Sequence, residues 1–316
     1  MSTGPERHYD KGLTELGDGL FAYLQPDGGW GWSNAGLVAG ESSSLLVDTL
    51  FDLTLTREML DAMAAVTSTS PIGALVNTHA NGDHCYGNEL VPDVEIIASE
   101  ASAAEMNELP PQALDALLQL DLDPRTNAYL QKAFGPFSFG DITMTPPTTT
   151  FSGRHSLLVE DRAVELIEVG PAHTKGDILA HVPSADTVFT GDILFIYGTP
   201  IIWDGPVQNW IDACDLITDL GVTTVVPGHG PICGLDGVEM VRGYLRWLHD
   251  EATQRHAAGM SAADAARDID LGGYADWSDS ERIAINVDAI YHELDPSHQP
   301  ANVLDQFTLM AELAGR

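Results

Sequence analysis

Apolar residues fall into short runs at both ends of a central polar-to-helical stretch, and the runs differ in period. Residues 19–24, 32–38, 44–47, 72–77 and 94–98 are brief, β-rich and bounded by Gly, Pro, Asp or Ser, which predicts strands. The first two are joined by a Gly-rich turn, Asp27-Gly28-Gly29, with Trp30 and Trp32 beside it. Leu60, Met63 and Ala64 recur at helical spacing and predict a helix over 55–65, with a second beginning at 86–90. Helical spacing then dominates 101–108, 112–120 and 128–134, with Pro110-Pro111 as a break. Strand-like runs return at 163–169, 186–190 and 222–226, a helix starts near Val207, and the end is helical over 237–258, 261–269, 278–294 and 303–314. The order predicts an α+β fold with two strand-bearing halves, a helical insertion over about 101–137 and a helical tail over about 251–316.

Chemistry-bearing residues sit where the strand runs stop. The run 72–77 feeds THANGDHCYGN, Thr78 to Asn88, which holds His79, Asp83 and His84 within six residues. The run 163–169 leads through Gly170-Pro171-Ala172 to His173, 186–190 through Gly191 to Asp192, 222–226 through Pro227-Gly228 to His229, and 44–47 to Asp48. Loops mounted on strand ends are a rigid way to hold a metal site. Imidazole mixed with carboxylate suits Zn, Fe or Mn better than oxygen-seeking Ca.

In this order and spacing, His79, Asp83, His84, His173, Asp192 and His229 resemble the signature of the metallo-β-lactamase superfamily. That signature reads His-x-His-x-Asp-His, then a His, an Asp and a final His on later strand ends. The resemblance spans about 14–250 and implies a four-layer αββα sandwich in a single domain. It further implies two metal positions. One is formed by His79, Asn81 and His173, the other by Asp83, His84 and His229, with Asp192 bridging them. Zn is the expected ion, one or two per chain, with Fe or Mn as alternatives. Asn81 stands where the family has its second His, so the first position is expected to be the weaker.

The implied activity is metal-dependent hydrolysis, with Asp83 as the catalytic residue that orients water and moves its proton. No G-x-S-x-G elbow competes with this reading. The segments GGWGWSNAGLVAG, SSLLVDTLFD, VGPAHTKGD, VVPGHGP and DWSDSERIAINVDAIYHEL are similar to a bacterial branch that includes polyketide cyclase and thioesterase proteins. An ester, thioester or lactone of a bulky apolar acyl group is therefore the expected substrate. A β-lactam, a non-hydrolytic iron-dependent reaction, or binding without catalysis are the alternatives. Candidate substrate contacts are Trp30 and Trp32, which could equally pack under the sheet, Tyr197 and Trp203 in the apolar loop 194–206, and Lys175. Lys175 is the nearby cation for a substrate carboxylate, with a structural role as the alternative.

Charge narrows the partners. The 316 residues carry 47 acidic against 14 basic side chains, a formal charge of −33. Such a field repels nucleic acid and anionic membranes, which leaves a small molecule as the expected partner, with a second copy of the chain on the tail helices as another. Cys85, Cys214 and Cys233 are too few and too scattered for a disulfide framework, and Cys85 reads as a buried apolar residue. No signal-type segment or membrane-length apolar run is present, so a cytoplasmic location is expected.

Overall fold

The computed structural model describes residues 8–314. The polar stretch 1–12 reads from the sequence as a loose arm, and residues 1–7 of it lie outside the described ones.

Seven strands build the first sheet in sequential order: β1 (Gly12–Gly17), β2 (Leu20–Leu24), β3 (Ala35–Ala39), β4 (Ser44–Val47), β5 (Ile72–Val76), β6 (Glu95–Ser99) and β7 (Thr149–Phe151). β1 to β4 pair antiparallel, and β4 to β7 pair parallel. The second sheet holds β8 (Arg154–Val159), β9 (Arg162–Glu168), β10 (Ile178–Val182), β11 (Thr187–Phe189) and β12 (Thr224–Val226), in the order 12-11-10-9-8. Only β11 and β12 run parallel there.

Alternation decides what the sheets bury. Leu20, Ala22 and Leu24 in β2, Leu45 and Val47 in β4, Val164 and Leu166 in β9, and Ile178, Ala180 and Val182 in β10 are two apart and form one apolar cluster between the sheets. The alternate positions in the first sheet, including Tyr23, Leu37, Leu46 and Leu75, turn the other way into the helix-covered core. Helices α1 (Leu53–Thr67), α6 (Val207–Asp219) and α7 (Leu235–Ala257) supply buried residues to that core, which makes the fold the expected αββα sandwich.

The strand-end prediction becomes a statement about topology. β4 and β5 are parallel, so their C-terminal ends share an edge. In the other sheet β10 opposes both β9 and β11, while β12 follows β11, so β9, β11 and β12 also end together.

Several boundaries moved. The strand expected over 32–38 begins at Ala35, because Trp30 to Asn34 form a turn in which Gly31 has φ 72° and a Cβ would strike the Phe51 ring. A strand, β1, occupies Gly12–Gly17, where the sequence pattern predicts no element. In place of a helix over 86–90 there is a single turn, α2 (Gly82–Cys85), and a 3₁₀ turn at Asn88–Leu90. The insertion forms α3 (Glu100–Glu105), α4 (Gln112–Leu118) and α5 (Pro124–Phe134), the last started by Asp123, whose carboxylate accepts from two backbone N–H groups. Leu114, Tyr129, Leu130 and Phe134 join the core, so these helices are seated on the domain.

The tail comprises α8 (Ala262–Asp268), α9 (Ile283–Leu294) and α10 (Val303–Leu313), and it packs on this chain's own α7 and α5. All three cysteines are buried and free. Among the described residues no helix is long and apolar enough to cross a membrane.

Candidate metal centre

The shared edge of the two sheets gathers His79, Asp83, His84, His173, Asp192 and His229 into one buried cluster. Asp192 lies at its centre. Its Oδ1 is 3.0 Å from His84 Nε2, and its Oδ2 is 3.3 Å from His173 Nε2, 3.4 Å from His229 Nε2 and 3.7 Å from His79 Nε2. Asp83 Oδ2 lies 3.4 Å from His229 Nε2 and 3.9 Å from His84 Nε2.

Backbone geometry makes this convergence possible. Gly228 lets the β12 loop pass directly over Asp192, where a Cβ would lie 2.0 Å from Oδ1. Gly191 takes φ 49° at the end of β11, with Thr78 against it. Asn34 donates to the Pro227 and Gly230 carbonyls, and Ser33 Oγ donates to the Asp83 carbonyl. The first hairpin thus braces two ligand loops at once.

Asp48 does not point into the cluster. From φ 65° at the end of β4, its Oδ1 accepts from Thr78 N–H, and its Oδ2 accepts from Thr78 Oγ1 and His84 Nδ1. Having given its proton to Asp48, Thr78 Oγ1 accepts from His79 Nδ1 at 3.0 Å. One buried carboxylate therefore fixes the orientation of two imidazoles and turns both Nε2 atoms inward. His173 is set in the same way by its Nδ1, which donates to the Ile201 carbonyl at 2.7 Å. His229 has no such partner. Its Nδ1 is buried without a hydrogen bond, and the ring is held by flat stacking on Phe195, 4.8 Å between centroids and 5° from parallel.

The tail reaches the site through the loop that follows Asp192. Thr199 N–H donates to the Ser278 carbonyl, Ile202 N–H to Asn286 Oδ1, and Asn286 Nδ2 to the Pro200 carbonyl. Trp203 N–H then donates to the His173 carbonyl. These contacts hold the Ile201 carbonyl that orients His173. Sequence reasoning missed Asn286, for which a polar residue inside the apolar stripe of α9 was the available signal.

Electrostatics divides the imidazoles into two pairs. Burial drives His79 well below its ordinary value and His173 down to about 4, so both are neutral at pH 7. Burial acts the same way on His84 and His229, but Asp192 and Asp83 outweigh it, raising His84 well above normal and His229 to about 9. Asp192, despite its burial, is held well below the usual carboxylate range by His229, His84 and His79.

These groups fit a metal ion. His79 Nε2, His84 Nε2 and Asp192 Oδ1 are buried with no hydrogen-bond partner. Two triads, His79/His84/Asp192 and Asp83/His84/His229, have ligand-type atoms within 4.8 Å of one another. A tetrahedral ion with bonds of about 2.1 Å spaces its ligands about 3.4 Å apart. The separations among Asp83, His84, Asp192 and His229 given above bracket that value.

The other expected residues lie at different depths. Asn81 contacts His173 Nε2. Trp32 packs on Phe137 with centroids 5.0 Å apart. Trp30 sits among Phe134, Phe307 and Trp203 and donates its N–H to Tyr129 Oη. Trp203 is 37% exposed, and Tyr197 is half-buried with φ 60°. Lys175 is exposed, and its Nζ is paired with both Glu108 carboxylate oxygens.

Fold and cluster define an αββα protein with a candidate metal centre. The chain belongs to the metallo-beta-lactamase superfamily, whose pattern matches residues 28–229. It is similar to the sec-alkylsulfatase Pisa1 from Pseudomonas sp., with 18% identity, 92% of this chain and 52% of that chain covered, and a TM-score of 0.68. A metallo-beta-lactamase from Pontibacter korlensis is similar at 18% identity over 74% of this chain and 98% of its own, with a TM-score of 0.56. The 2,4-dinitroanisole O-demethylase subunit alpha of Nocardioides sp. strain JS1661 is 24% identical over 248 residues, 76% of this chain. The chain spans 62% of that relative's length and about half of the sulfatase's.

Proposed function

We propose that the protein is a metal-dependent hydrolase that cleaves an ester, thioester or lactone of a bulky apolar acyl substrate. The observation that carries this reading is the convergence of Asp83, His84, Asp192 and His229, whose ligand-type atoms stand 3.0 to 3.9 Å apart with His84 Nε2 and Asp192 Oδ1 unpartnered. A divalent cation bound there supplies Lewis-acid polarisation of the carbonyl and lowers the pKa of bound water from 15.7 to about 7.

The chain's own residues do the rest. Asp48 and Thr78 hold the orientation of the His84 and His79 imidazoles before any ligand arrives, so no reorganisation is needed at the moment of reaction. Asp83, 13% exposed, is the most open of the acidic ligand-type groups. It is placed to hold the attacking water and carry its proton to the leaving group. The acidic field, and the pairing of Lys175 with Glu108, favour a substrate without strong negative charge. Trp203 offers apolar surface for the acyl part.

A second reading, cleavage at an alkyl–oxygen bond, is supported by relatives named as a sec-alkylsulfatase and an O-demethylase. The alkylsulfatase also aligns over 92% of this chain against 74% for the lactamase. The test is turnover by the zinc-loaded protein on acyl esters of rising chain length, acyl thioesters, lactones, a β-lactam, a secondary alkyl sulfate and an aryl methyl ether. Acyl turnover that disappears in Asp192→Ala supports the first reading. Turnover of only the sulfate or ether replaces it with the second.

A further inference from the structure

We propose that this protein works with one metal ion, held by Asp83, His84, Asp192 and His229, and that Asn81 closes the other position by occupying His173. The inference deepens the hydrolase reading and rests on it for the presence of a metal.

Three observations converge. Asn81 Oδ1 lies 2.7 Å from His173 Nε2. Two ligands of one ion with bonds of about 2.1 Å stand about 3.0 Å apart or more, so these atoms are in a hydrogen bond and not spread around an ion site. The ring's other nitrogen already gives its proton to the Ile201 carbonyl. With its proton on Nδ1, the neutral ring of His173 can only accept at Nε2, so the carboxamide is turned with Nδ2 donating. The lone pair that would bind metal is then taken.

The second observation is a contrast. His79 Nε2 and His84 Nε2 are buried and unpartnered, and His229 Nε2 faces only ligand-type carboxylates, Asp83 and Asp192 at 3.4 Å, whereas His173 Nε2 is engaged by a carboxamide at 2.7 Å. The clusters of ligand-type atoms likewise include His79, Asp83, His84, Asp192 and His229 but leave out His173.

The third is chemical. A carboxamide oxygen is a weaker donor for zinc than imidazole, so moving Asn81 aside gains little in return for the hydrogen bond it gives up. The remaining set would suffice for one divalent ion, whose charge Asp83 and Asp192 would balance, and such an ion can take a water as a fifth ligand. His79 is then left with a buried Nε2 acceptor beside that ion, free to hold a water or a substrate donor.

Titration of the metal-stripped full-length protein with Zn²⁺, followed by calorimetry and by Co²⁺ absorption, tests this. Losing even an outer partner of a ligand costs 10–100-fold in affinity, so the expected pattern is one tight equivalent and a second at least about 100-fold weaker. Asn81→His should bind two tight equivalents. His173→Ala should keep the first equivalent within about threefold, whereas His229→Ala should weaken it by about 100-fold or more. Two equally tight ions in the native protein overturn the inference, as does a single ion in Asn81→His or a large loss in His173→Ala. Thermal melts of each variant confirm folding, and the two variants test the idea independently. Hydrolysis with two tight ions would refute only the inference. One tight ion with no hydrolysis of any substrate would refute only the hydrolase reading.

Discussion

The guanidinium of Arg282 lies 4.3 Å from the centroid of the Trp30 ring, on a residue only 2% exposed. On its other side it lies 5.5 Å from Phe195, whose ring stacks flat on His229. Its Nη1 donates to the Thr199 carbonyl, and its Nη2 pairs with Asp279 at 2.8 Å. A buried cation from the tail thus backs a metal-site imidazole through one aromatic ring. Removing one partner of a buried ion pair costs about 3–5 kcal/mol. Arg282→Leu should lose that much in urea denaturation and should also weaken zinc binding, because Phe195 loses its support. Unchanged stability would show that the guanidinium has little structural role.

Asp48 is predicted to act on metal affinity without touching the metal. Asp48→Asn keeps the shape but weakens the acceptor that orients His84 and, through Thr78, His79. Chelator competition should show a 10–100-fold loss of zinc affinity, with the circular dichroism spectrum unchanged. An unchanged affinity would remove Asp48 from the account.

Metal binding should release protons. In the metal-free site His84 and His229 are raised above their ordinary values, His229 to about 9, by Asp192 and Asp83 against the effect of burial. Both hold protons at pH 7, and both must lose them to bind an ion through Nε2. Apparent zinc affinity should therefore rise with pH from 7 towards 9, by up to about 100-fold per unit where both protons are displaced. Calorimetry at pH 7 in buffers of different ionisation enthalpy should give about two protons released per zinc. Fewer than one would contradict the charge assignment.

Trp203 is expected to matter for substrate and little for stability. It is partly exposed, touches Trp30, and its backbone is already tied to the His173 carbonyl. Trp203→Ala should raise KM for long-chain acyl esters several-fold more than for acetate esters, while stability changes by about 1 kcal/mol or less. Equal effects on both esters would exclude Trp203 from the substrate surface.

The sequence determined the fold class and the ligand-type residues, because both are local properties. Period-two runs, period-3.6 runs and Gly or Pro turns each act over a few residues, and His79, Asp83, His84, His173, Asp192 and His229 stand immediately after such runs. Boundaries were less legible: β1 and the turn at Trp30 to Asn34 depend on contacts such as Gly31 against Phe51 that no short window contains. Tertiary structure alone decided the functions of polar groups that look alike in the chain. Asp48 and Asp192 both follow strand runs, yet β4 turns the first behind the imidazoles and β11 sets the second among them. Asn81 was recognisable as a departure from the family pattern. Its contact with His173, 92 positions away, exists only because parallel strand ends of two sheets meet at one edge. The tail's hold on the site through Asn286 and Arg282 is of the same kind, since a buried hydrogen bond across more than 80 residues leaves no periodic trace in sequence.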